Sequence, residues 1–180
     1  MINDFKKYPV TSFLTIILTL IFFTQGKSAP SCEQSLIQMY LNNFIHTHSY
    51  HLFLSLICLH SYRDLEDKQG WRSYLIFLCM LTMVKTLIYC LLNDFASVST
   101  GFYSVMFALY SLNPGTKLLG IQCEPQYYSL ILLVFAQSIP FTSFCGNLSG
   151  ILTGHLLKFL ADTQPDSPQP TTSKTASQSS

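Results

Sequence analysis

Charge is scarce in this 180-residue chain. Asp, Glu, Lys and Arg together make up 11%, against roughly 25% in an ordinary globular protein. The few charges are bunched, leaving residues 8–26, 34–62, 95–116 and 125–157 without one. Gaps of about that length are what a helix needs to cross a ~30 Å hydrocarbon core, so the composition excludes a soluble enzyme. A net charge of +1 with no basic block removes the electrostatic basis for binding nucleic acid. Cys-x-x-Cys is also missing, which argues against zinc and thiol redox chemistry. Of the six cysteines, Cys58, Cys79 and Cys90 lie in apolar runs, where a thiol is usually a small buried hydrophobe. Cys32 and Cys145 are the two placed to meet outside a bilayer, and the sequence leaves their pairing open. No internal repeat is present.

What is there is a series of apolar runs with polar punctuation. They predict an all-α polytopic membrane protein with six spans, at roughly 8–24, 44–60, 73–93, 99–112, 127–140 and 147–161. The expected organisation is a cytosolic N-terminus over 1–7, a six-span domain over 8–161, and a tail over 162–180. The tail is Pro, Ser, Thr and Gln, too poor in apolar side chains to offset the entropy of ordering, and is expected to be disordered. Lys6 and Lys7 ahead of a 17-residue apolar run also resemble a signal peptide. However, the run is long for that role, and Pro30 directly after Ala29 is a poor cleavage context, so a retained first span is expected. With both termini cytosolic, Lys6, Lys7, Arg63, Lys68, Arg72, Lys117, Lys158 and Lys174 fall on the cytosolic side and only Lys27 on the far side. The positive-inside rule requires this asymmetry.

Within the spans, the fourth run is short. About 14 residues reach roughly 21 Å as a helix, less than the bilayer core. The sixth carries Gly146, Gly150 and Gly154 at intervals of four, which clears one helical face for close approach by another helix. Lys85 lies inside the third span, at a cost of ~2.5–3.5 kcal/mol at mid-bilayer unless it snorkels or serves a function. His46, His48 and His51 suggest zinc by spacing, but no carboxylate or cysteine completes a ligand set, so no metal is expected. His155 lies two turns deeper than Asn147 and is expected to pack or be hydrated. Asn147-Leu148-Ser149 is a formal glycosylation sequon that is expected to go unmodified at a membrane boundary.

Four blocks in order, FIHTHSYHLFLSL (44–56), DLEDKQGWRSY (64–74), GFYSVMFAL (101–109) and SFCGNLSGILTG (143–154), together resemble the rhomboid family of intramembrane serine proteases. Within it, the likeness is to the endoplasmic-reticulum rhomboid-domain-containing type. The resemblance covers about residues 8–160. It implies a six-helix transmembrane bundle in the endoplasmic reticulum, with no cofactor and with the bilayer and other proteins' transmembrane segments as partners; oligomeric state is left undetermined. In active members the fourth helix opens with Gly-x-Ser-Gly, whose serine is the nucleophile. The sixth helix places a base histidine three residues before the first of two packing glycines, and a His-x-x-x-Asn pair on the second helix helps hold the oxyanion.

Laid on this chain, Gly101 matches, but Tyr103 stands at the nucleophile position and Ser104 replaces the second glycine. Asn147 stands where the base belongs, ahead of Gly150 and Gly154. His51 matches the second-helix histidine and Ser55 replaces its asparagine partner. Glu66 and Gly70 match scaffold positions. A hydroxyl becomes nucleophilic at neutral pH only when a base takes its proton, and a side-chain amide cannot do so. Losing one member of such a pair costs about as much as losing the whole, on the order of 10⁶ in turnover. The resemblance therefore implies a catalytically inactive, pseudoprotease-like protein that binds transmembrane segments of clients and affects their trafficking or degradation. The alternative is a weak or unconventional intramembrane serine endopeptidase with Ser104 as fallback nucleophile. Ser104 is one residue further along the helix, a rotation of about 100°, and is expected to face away from the sixth helix.

Overall fold

The computed structural model describes residues 2–24, 35–92, 101–112, 117–118, 121–122, 125–138 and 142–163. These residues form nine helices and one two-residue strand pair: α1 (Ile2–Lys7), α2 (Pro9–Thr24), α3 (Leu36–Asn42), α4 (Ser49–Ser61), α5 (Arg63–Gln69), α6 (Trp71–Leu92), α7 (Tyr103–Leu112), β1 (Lys117–Leu118), β2 (Ile121–Gln122), α8 (Pro125–Gln137) and α9 (Phe144–Asp162). The strands are antiparallel, with Lys117 opposite Gln122. The fold is thus all-α apart from this small hairpin. Each expected apolar run holds a helix, with boundaries moved by a few residues. Two stretches expected as connections are helical as well: α3 in 34–43 and α5 in 63–72. The tail from 164 onward and Cys32 lie outside the described residues, and Cys145 carries a free thiol.

Local chemistry explains the helix ends. α2 opens on Pro9, whose missing N–H and fixed φ suit the first helical position. The next two N–H groups, of Val10 and Thr11, donate to the Glu66 carboxylate at 2.7 and 3.0 Å. Glu66 therefore caps α2 from α5, and a buried anion at a helix N-terminus is favoured by the helix dipole. On the surface beside it, Lys7 lies 3.6 Å from Asp67. The Lys7 ammonium is held above its ordinary pKa, first by Tyr8 and then by Asp67. α3 opens with a capping box between Ser35 and Gln38. Gly70 separates α5 from α6 at φ 79°, a backbone region that glycine enters without steric cost.

α7 is the centre of the molecule. It packs against α4, α6, α8 and, most extensively, α9, and every residue from Tyr103 to Leu109 is buried. A helix apolar on all sides belongs inside a larger structure. α6 is the only described helix long and apolar enough to cross a membrane by length and composition alone. Its 22 residues reach roughly 33 Å, while α2 and α7 are shorter apolar helices. The outward faces of the bundle are apolar: Phe23, Phe53, Ile76, Met80, Leu91, Val134 and Phe159 are all exposed. The interior holds polar groups, including Asn43, His46, His51, Ser55, Glu66, Lys85 and Asn147.

Candidate functional site

The α7–α9 contact is made by removing side chains. A Cβ on Gly150 would collide with the Ser104 carbonyl oxygen and lie 3.1 Å from Phe107 Cβ. One on Gly154 would lie 2.5 Å from both the Ala108 oxygen and Ser111 Cβ. Ser104, Ala108 and Ser111 are thus the small-residue face of α7 that receives the two glycines, the close approach typical of small-xxx-small packing. The Ser104 backbone lies in the contact with α9, and its hydroxyl donates to the Gly101 carbonyl at 3.1 Å. Gly146 is buried in the first turn of α9, where its N–H donates to the Ser143 hydroxyl at 3.1 Å.

At the entrance of this contact, positions 51, 103 and 147 come together. The Tyr103 ring lies 5.0 Å from the His51 imidazole, tilted by 46°, and its phenol faces the Asn147 amide and the Ser143 backbone. Asn147 is 0% exposed, and neither its Nδ2 nor its Oδ1 makes a hydrogen bond of acceptable geometry. Gly101, at φ 100°, passes beneath: a Cβ there would lie 3.1 Å from Tyr103 Cδ1 and 3.5 Å from His46 Cδ2. Positions 51, 103 and 147 therefore converge as an imidazole, a phenol and an amide. Asn147 cannot accept the proton a nucleophile must lose.

Ser55 does not serve His51. Its Oγ lies 2.9 Å from His46 Nε2. The Phe102 N–H donates to the same nitrogen at 3.2 Å, and His46 Nδ1 lies 3.2 Å from the Phe44 carbonyl. Two of these neighbours fix the tautomer: a carbonyl needs a proton on Nδ1, and an N–H needs a lone pair on Nε2. His46 was weighed in the sequence only as a zinc ligand. Its pairing with Ser55 joins the non-helical stretch before α4 to α4 itself, and no helical spacing announces it.

Lys85 is 1% exposed and does not snorkel. Its Nζ donates to Asn43 Oδ1 at 2.7 Å and lies 5.2 Å from the Tyr89 ring centre. Asn43 Nδ2 in turn donates to the Met39 and Tyr40 carbonyls and to Thr86 Oγ1. His155 is exposed on α9, away from the cluster. Among the described residues, no group of three His, Cys, Asp or Glu side chains is placed to hold a metal. No family model, curated protein or solved structure matches this chain.

Proposed function

We propose that this protein is a six-span, rhomboid-like membrane protein that lacks the family's proteolytic pair. It recognises transmembrane segments of client proteins and affects their trafficking or degradation without cutting them. The reading places it in the endoplasmic reticulum with both termini cytosolic. The observation that carries it is the junction of α7 and α9. The glycine-mediated contact is present, while Tyr103 and Asn147 face each other there in place of a nucleophile and a base. The apolar exterior and polar interior of the bundle support a lipid environment, as does the one-sided distribution of Lys and Arg.

Two measurements test the reading. Photocrosslinking from exposed apolar positions such as Val134 and Phe159 should capture membrane-spanning proteins; capture of none overturns client binding. The quadruple replacement Tyr103→Ser, Ser104→Gly, Asn147→His and Ser55→Asn should create cleavage of a model transmembrane substrate that the parent leaves intact. Cleavage by the unaltered parent would reverse the reading.

A further inference from the structure

We propose that Ser55 and His46 form a reactive serine–histidine couple, distinct from the degenerate Tyr103–Asn147 position, that takes an acyl group from an ester carried on an apolar chain. This goes beyond the client-binding reading, which stands or falls separately.

The geometry has the parts that nucleophilic catalysis requires. Ser55 Oγ is 2.9 Å from His46 Nε2. The Phe44 carbonyl at Nδ1 orients the ring and holds its proton on that nitrogen, so Nε2 carries the lone pair that faces Ser55. The third neighbour completes the set. The Phe102 N–H, just ahead of the first turn of the ten-residue α7, now donates to Nε2. When Nε2 takes the Ser55 proton, its lone pair is gone and the Phe102 N–H loses its acceptor. That donor, at the positive end of a helix, is then free for an oxyanion on the attacked carbonyl. Proton transfer and oxyanion stabilisation are coupled through one nitrogen.

The surroundings select the substrate class. Phe44 stacks on Phe102 at 5.6 Å, and Leu52, Leu56 and Leu59 belong to the same apolar cluster. An acyl chain fits such walls, whereas a charged head group does not. Ser55 is 0% and His46 5% exposed, so the couple is closed to solvent and a substrate has to part the apolar side chains around it to reach Oγ. In the reaction, the Ser55 O–H proton passes to Nε2 and Oγ bonds to the acyl carbon. The ester C–O bond breaks, and the alcohol leaves with that proton. Water then hydrolyses the acyl-serine, with His46 again taking and returning a proton.

The test uses the full chain in detergent micelles, treated with an alkyl fluorophosphonate or with nitrophenyl octanoate and mapped by peptide mass spectrometry. With the fluorophosphonate, Oγ bonds to phosphorus, fluoride leaves and the proton goes to His46. The expected result is an adduct on Ser55 from both reagents, absent in Ser55→Ala. In His46→Gln the side chain retains an acceptor for Ser55 and Phe102 but cannot hold the proton. Labelling there should be slower by about 10²-fold or more. No adduct in the folded parent, an adduct on another serine, or labelling of His46→Gln at the parent rate overturns the proposal. Phosphonylation of Ser55 without octanoylation overturns the acyl assignment.

Discussion

Two polar clusters lie buried in this bundle, and they are built differently. Around Lys85, each polar group is bonded: the ammonium to Asn43, and the Asn43 amide to two carbonyls and Thr86. Around Asn147, the hydroxyls on the same helix are satisfied within its backbone, Ser149 on the Gly146 carbonyl and Thr153 on the Ser149 carbonyl, while the amide faces the Tyr103 phenol without a hydrogen bond of acceptable geometry. A cluster that is fully bonded contributes to stability and order. A buried amide in a poorly aligned contact gains less than a fully bonded one. The first cluster joins α3 to α6, and the second sits at the α7–α9 junction.

This contrast sets the sign as well as the size of the expected mutational effects. The largest is Asn43→Ala. It leaves the buried Lys85 amine without its acceptor and should destabilise the protein by about 2–3 kcal/mol, read as a drop in thermal midpoint in micelles that Lys85→Met in the same background partly restores. Gly150→Ala comes next. The added methyl meets the Ser104 carbonyl and Phe107, and overpacking of this kind costs about 1–3 kcal/mol in the same assay. A midpoint equal to the parent's would show that the two helices are not in close contact. The smallest effect, with the opposite sign, is expected for Asn147→Leu. It removes two poorly bonded polar atoms at similar volume and should be neutral or stabilising by up to ~1 kcal/mol. A clear loss of stability would mean that the amide is bonded and that the two clusters are alike after all.

The positions of the helices were legible because long stretches without charge, ended by polar residues, mark apolar helices. α3 and α5 were missed for the same reason in reverse. Their polar and charged residues read as linkers, yet a capping box starts α3, and α5 is tied to α2 through Glu66. The glycine spacing located the α7–α9 face, and register along the two helices brought positions 103 and 147 to it. Helical register gave no sign of the contact between Ser55 and His46, because His46 precedes the helix and reaches it only where the chain bends between α3 and α4. The environment of Lys85 was equally invisible, since Asn43 meets it across 42 positions of sequence.

The ten-residue α7 has a consequence for how the chain is made. It reaches roughly 15 Å, about half of a bilayer core, and its side chains are turned toward α4, α6, α8 and α9 rather than outward. In a membrane, such a segment has little to gain from lipid when it first leaves the ribosome, and the glycines that receive it are translated only some forty residues later. On the membrane reading, its insertion is an assembly step: α7 has to be sheltered until α9 arrives, and a defect at Gly150 or Gly154 would first be seen as an unfinished protein rather than as an altered one.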